Sequence, residues 1–85
     1  MKRKFLVTFE GQATVELDGA VIDAVNDEWR SKFYQLRSPE DVARLVAYNL
    51  VINNATLDQL DGFADQPEDN ARVMGTDWEI TARAI

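Results

Sequence analysis

The chain has 85 residues, of which 46% are apolar and 28% are charged, and it carries a formal net charge of −6. A chain of this length forms one domain with a modest core, which we place at residues 1–85, and its composition is that of a folded protein. Because it contains neither cysteine nor histidine, disulfides and thiolate chemistry are excluded, and the commonest metal ligand and neutral-pH general base are missing.

The negative charge is concentrated in the last third of the chain. Residues 55–80 contain seven acidic residues and one basic residue, Arg72. This distribution argues against binding to naked nucleic acid or to an anionic membrane, since both require clustered Lys and Arg. We therefore expect a protein partner with a basic surface, with no direct nucleic-acid contact and no membrane contact.

The first structural pattern lies between Phe5 and Leu17, where every odd-numbered residue except Gly11 is apolar. This period of two predicts strand. Gly11 and Gln12 could form a tight hairpin turn, but the odd phase continues through them, so one long strand bent at Gly11 also fits. We favour the hairpin, because three strands are more self-sufficient than two. The apolar run after the three N-terminal basic residues is too short for a signal peptide or a membrane span, so we expect a cytoplasmic location.

Residues 20–36 are predicted to be helical, because their apolar residues recur every three or four positions. The apolar set is Val21, Val25, Trp29, Phe33 and Leu36. Polar residues at 26–28 interrupt the pattern, so two short helices with Asp27 capping the second are also allowed. Trp29 and Phe33 fall on the core face, which leaves Tyr34 exposed.

Residues 38–54 carry the strongest helix signal. Ser38 is the expected N-cap, Pro39 suits the first helical position, and two acidic residues follow at the positive end of the helix dipole. The apolar spacing predicts a core helix through the whole segment. Asn49 and Asn53 share its buried stripe, where they either satisfy each other or form the seam of a dimer.

The remaining chain is predicted to contain short turns and one strand. Thr56 and Gln59 match a capping box for a single turn that Gly62 closes, and residues 65–70 form an exposed loop or one further helical turn ending near Val73. Residues 76–85 alternate in polarity as a strand does. The whole predicts an α+β fold: a small antiparallel sheet, made of the N-terminal hairpin and the C-terminal strand, with two main helices on one face.

The candidate binding residues are the acidic side chains of the 58–69 region, together with the exposed tyrosine. They are Asp58, Asp61, Asp65, Glu68, Asp69 and Tyr34. Carboxylates on one surface can occupy a basic groove of a partner, where they stand in for nucleic-acid phosphates, and tyrosine is enriched at protein interfaces.

We predict no metal, no cofactor and no catalytic residues. Asp61, Gly62, Asp65 and Glu68 match part of a calcium loop counted from Leu57, but its first and third ligand positions are Leu57 and Gln59. No P-loop, dinucleotide glycine motif or nucleophile elbow is present. The acidic residues also fail to supply the nucleophile, base and oxyanion donors that an active site requires.

Three tracts, DEWRSKFY, VAYNLVINN and LDGFAD, together with the small size and acidic charge, resemble small phage and prophage proteins. The chain is similar in type to anti-CRISPR proteins, a resemblance that implies action by binding and a location in the host cytoplasm. Our leading hypothesis is a non-enzymatic protein, a phage-encoded inhibitor that binds a nucleic-acid-handling complex through its acidic surface. The alternative is an assembly module that forms a homodimer through the long helix or an open sheet edge, without inhibitory activity.

Overall fold

The computed structural model describes all residues from Met1 to Ile85. In sequence order, the chain begins with one long strand, continues with a helical segment and ends with a second long strand. The elements are β1 (Phe5–Leu17), α1 (Gly19–Asp23), α2 (Asp27–Lys32), α3 (Pro39–Ala47), a π-helical turn (Tyr48–Ile52), two 3₁₀ turns (Leu57–Gln59 and Glu68–Asn70) and β2 (Ala71–Ala84).

β1 and β2 form a two-stranded antiparallel sheet, here called the ribbon, which runs from the pair Phe5 and Ala84 to the pair Leu17 and Ala71. The α+β class and the pairing of the terminal strand with the first are therefore confirmed. The hairpin at Gly11 is wrong, because β1 is one continuous strand. Gly11 lies opposite Trp78, and a methyl group at Gly11 would clash with the indole ring. The glycine makes room for a cross-strand aromatic ring and does not form a turn.

A β-bulge divides the ribbon into an inner and an outer part. Val15 pairs with Val73 and Thr14 pairs with Gly75, so Met74 is the extra residue. Side chains normally alternate between the two faces with residue number, and one inserted residue reverses which face the odd-numbered residues occupy. Val73 therefore shares a face with Trp78 although their numbers differ in parity. The predicted further helical turn is present as the 3₁₀ turn Glu68–Asn70, but its predicted end near Val73 is wrong, since β2 begins at Ala71.

The two faces of the ribbon differ in polarity. One face, here called the apolar ribbon face, carries Phe5, Val7, Phe9, Trp78 and Ile80, together with small residues. The opposite face is rich in acidic residues, which include Glu10, Asp77 and Glu79.

Residues 20–36, predicted to form either one helix or two short helices, contain two short helices, α1 and α2. Asp18 caps α1 by accepting a hydrogen bond from the Ala20 N–H at 2.9 Å. Asn26 caps α2 by accepting from the Trp29 N–H, also at 2.9 Å. The cap thus lies one residue before Asp27, because the side chain of Asn26 reaches the third backbone N–H of the helix.

The helix that begins at Pro39 has the predicted start, with the Ser38 hydroxyl accepting from the Asp41 N–H at 3.1 Å. Its α-helical part ends at Ala47 and continues as a π-helical turn, so the predicted single α-helix to Asn54 is only partly right. Asn53 donates its side-chain amide to Asn49 Oδ1 at 3.1 Å, and Asn49 donates to the Leu45 carbonyl at 2.9 Å. The contact between the two side chains is the one that the first of the two interpretations predicted. The prediction that both lie on a buried stripe is wrong for Asn53, which is exposed, while Asn49 is partly buried.

The core lies between the helices and the inner end of the ribbon. Nine residues are buried: Val21, Val25, Trp29, Val42, Val46, Leu57, Leu60, Phe63 and Ala71. From the ribbon only Ala71 and the partly buried Leu17 join this cluster. The helices therefore cover one end of the sheet and leave the rest of the ribbon without cover.

Asp41, at the start of α3, has a lowered pKa that makes the stability of the fold depend on pH in the acid range. The Arg37 backbone N–H donates to Asp41 Oδ2 at 3.0 Å and is the main reason that the pKa of this carboxyl lies below its ordinary value of 3.8. Desolvation acts in the opposite direction, and the Arg44 guanidinium, 3.5 Å away, lowers the pKa further.

A lowered carboxyl pKa in the folded state stabilises the protein above the unfolded pKa, and this contribution is lost as the pH falls through the folded value. We expect Asp41→Asn to lower the melting temperature at neutral pH, and its difference from the wild type to shrink as the pH falls below about 4 and to vanish only below the lowered pKa of folded Asp41. Thermal unfolding from neutral to acid pH measures this effect. Glu40→Gln is the control, since the Glu40 side chain makes no hydrogen bond or ion pair. An equal, pH-dependent loss in both variants would contradict the assignment to Asp41.

Candidate acidic cleft

The segment after the π-helical turn is held in place by local hydrogen bonds and by a glycine. Gln59 Oε1 accepts from the Thr56 N–H at 3.0 Å, as the predicted capping box requires. Gly62 has a φ of +91°, and its carbonyl accepts from Trp29 Nε1 at 2.8 Å. Leu57, Leu60 and Phe63 are buried, so the polar residues between them remain at the surface.

This arrangement forms an open cleft of about 520 Å³ between α2 and the 57–65 segment. Asp58, Asp61 and Asp65 line it and are exposed. Trp29 and Phe33 form an aromatic wall, with their ring centroids 5.1 Å apart. Three acidic residues that are separated in sequence thus surround one aromatic depression.

The cleft has an excess of negative charge. Its fourth acidic residue, Glu28, is neutralised by Lys32, whose Nζ lies 3.2 Å from Glu28 Oε1. None of the three aspartates makes an ion pair within the chain. Asp58 accepts a hydrogen bond from the Thr56 hydroxyl at 2.5 Å, which orients that carboxylate. The aspartates are therefore free to pair with a cation from outside.

The other predicted binding residues lie in two further places. Tyr34 is 44% exposed and lines a neighbouring groove of about 180 Å³ together with Asp61, so it adjoins the cleft. Glu68 and Asp69 are exposed beside Arg72 in a separate shallow depression. The structure thus brings Asp58, Asp61, Asp65 and Tyr34 together and places Glu68 and Asp69 apart from them.

The sequence-derived set lacks four of the cleft residues described above, which are Glu28, Trp29, Lys32 and Phe33. Phe33 was predicted to lie on the core face, but it is 42% exposed because α2 ends at Lys32 and the chain turns away. Glu28 and Lys32 lie four residues apart on one helix, a spacing that suits an ion pair, but the sequence analysis did not predict this pair. Nothing in the sequence indicated that this pair would face the acidic segment.

No helix has the length and apolar character required to cross a membrane, and no group of three or more acidic side chains is arranged to hold a metal ion. Comparisons of the chain with protein-family models, with curated proteins and with solved structures found no match.

Proposed function

We propose that this chain is a non-enzymatic protein that binds a partner protein through the acidic cleft. The observation that supports this function is the convergence of three unpaired aspartates on one aromatic-walled depression. Unpaired carboxylates on a protein surface attract basic groups and can speed association with an oppositely charged surface.

The chemistry of the cleft suits a lysine or arginine side chain of the partner. An aromatic ring attracts a cation placed over its face, and Phe33 is exposed enough to offer one. The carboxylates of Asp58 and Asp61 can then bind the same cation through charge-assisted hydrogen bonds. A basic groove that normally holds nucleic-acid phosphates presents such side chains.

The partner we propose is a nucleic-acid-handling complex of a bacterial host, which the chain would inhibit as a phage-encoded protein in the cytoplasm of that host. A protein that occupies a phosphate-binding groove needs no catalytic group, since it acts by exclusion. Its binding is sensitive to salt, because the attraction between exposed charges is screened.

The test is a pull-down with the tagged full-length chain from bacterial lysate, washed at low and at high salt, followed by mass spectrometry. We expect a nuclease or CRISPR-type complex that high salt releases. The triple variant Asp58→Asn, Asp61→Asn, Asp65→Asn is then expected to weaken binding to that purified complex by at least about tenfold, since each lost contact to a charged group contributes on the order of 1 kcal/mol.

The matched control removes the same amount of charge from the opposite end of the molecule. It is Glu10→Gln, Asp77→Asn, Glu79→Gln on the acidic face of the ribbon. Binding that survives the cleft substitutions, or that falls equally in both triple variants, would contradict the proposed site.

A further inference from the structure

The outer part of the ribbon exposes more apolar surface than a folded domain of this size normally does. Phe5, Phe9 and Ile80 are 51%, 64% and 61% exposed, and Val7 and Trp78 are 43% and 45% exposed. These five side chains lie next to one another on one face, because their strands pair in register. Contiguous exposed apolar surface of this kind marks an interaction site.

The molecule is more extended, and exposes more surface, than a compact monomer of its size. The radius of gyration is 16.4 Å, whereas a compact chain of this length has about 12 Å. The accessible surface is 6467 Å², whereas a compact monomer of this mass exposes roughly 5,100 Å². This excess, which belongs to one chain, is larger than the roughly 800 Å² that each partner contributes to a standard-size protein–protein interface.

The charge pattern of the ribbon favours a second copy of the same chain as the occupant. In a two-fold dimer each patch meets an identical patch, so any charge near the axis meets its own sign. The apolar ribbon face carries no charged residue between the pairs Phe5 with Ala84 and Ala13 with Thr76. The opposite face places Glu10 directly across from Glu79 and is therefore unsuited to self-association.

The limited support that the core gives to the ribbon also favours an occupant that is always present. An isolated two-stranded sheet is marginally stable in water, and the core supports this one only at Leu17 and Ala71. A second copy is available whenever the chain is synthesised.

We propose that two copies of this chain form a two-fold dimer by packing their apolar ribbon faces against each other. The two ribbons form a four-stranded sandwich with the sheets about 10 Å apart. Trp78 of each copy, which covers Gly11 on its own ribbon, becomes buried in the interface. The acidic clefts lie outside this interface, so the dimer does not depend on the proposed function.

The first test is sedimentation equilibrium of the full-length chain. We expect a mass twice the 9.6 kDa of the monomer, with dissociation on dilution accompanied by a red shift of tryptophan emission as Trp78 becomes exposed. Added salt should leave the dimer intact or strengthen it, because salt screens the repulsion between two chains of charge −6. A wild-type monomer at high concentration would overturn the proposal.

The second test assigns the interface to one face of the ribbon. Phe9 pairs with Ile80, and the adjacent pair Thr8 with Thr81 lies on the opposite face. The variant Phe9→Asp, Ile80→Asp buries unpaired charge and is expected to raise the dimer dissociation constant on the order of a hundredfold or more. The control Thr8→Asp, Thr81→Asp adds the same charge and should remain dimeric.

A third measurement is independent of whether the charged variant folds. The chain has no cysteine, so Val7→Cys and Thr8→Cys each introduce a single thiol, on the apolar and the opposite face respectively. We expect the thiol at position 7 to react slowly with a thiol reagent at high protein concentration and to become as reactive as the thiol at position 8 on dilution. Equal reactivity at all concentrations would show that the apolar face is uncovered and would overturn the proposal.

Discussion

Replacing Phe63 with alanine is expected to reduce the free energy of unfolding by about 3–5 kcal/mol. The side chain has no exposed surface, and its ring centroid lies 5.2 Å from that of Trp29, at the centre of the core. An 85-residue domain has a total stability of only about 4–13 kcal/mol, so the variant should be largely unfolded or close to it. Urea denaturation followed by circular dichroism measures the change.

Phe33→Ala is the matched control for this prediction. Phe33 also contacts Trp29, with ring centroids 5.1 Å apart, but 42% of its surface is exposed. Its removal leaves little cavity, so we expect a clearly smaller loss of stability. If both variants lost stability equally, the core would not be centred on Phe63.

Gly62→Ala is expected to destabilise the domain by about 2–5 kcal/mol, although it adds only one methyl group. The φ of +91° at Gly62 strains any residue that has a Cβ. That Cβ would also lie 2.6 Å from Cζ2 and Nε1 of Trp29. Because Trp29 is buried and donates its Nε1–H to the Gly62 carbonyl, the ring cannot move aside without losing this hydrogen bond.

Gly19→Ala provides the comparison. Gly19 is the first residue of α1, and a methyl group there would meet no atom within 4 Å. We expect a change within about 1 kcal/mol, in the stabilising direction, because alanine restricts the unfolded chain. Thermal unfolding of both variants at one protein concentration decides the prediction, and a comparable loss at the two positions would contradict the role of Gly62.

The helical part of the fold was predictable because its signals are local. The N-cap Ser38 and the box of Thr56 and Gln59 each act within four residues, and the structure contains both contacts. The π-helical turn after Ala47 was not predicted, since the apolar spacing continues unchanged through it.

The ribbon was predicted less well because its determinants are distant in sequence. The role of Gly11 depends on Trp78, which lies on the other strand. The bulge at Met74 reverses the parity of the alternating pattern, so Ala71 and Val73 did not appear to continue the strand recognised from Thr76 onward. Period-two reasoning finds strands only where no residue is inserted.

The candidate site shows the same division between local and distant signals. Sequence identified the acidic residues, because composition is a local property. Which of them share a surface depends on the turn at Gly62 and on the position of α2, and these bring Asp58 and Asp65 to Phe33 but leave Glu68 apart.

The ribbon is built from the two ends of the chain, and this has a consequence for the order of folding. Leu17 and Ala71 are held together by the core, and Phe5 and Ala84 form the pair farthest from it, so we expect Phe5 and Ala84 to meet last. We therefore expect the helical segment to close the long loop first and the strands to join progressively toward the termini. Opening proceeds in the reverse order and begins at the tip. We therefore expect the ribbon to be most stable where it meets the core and least stable at the chain termini.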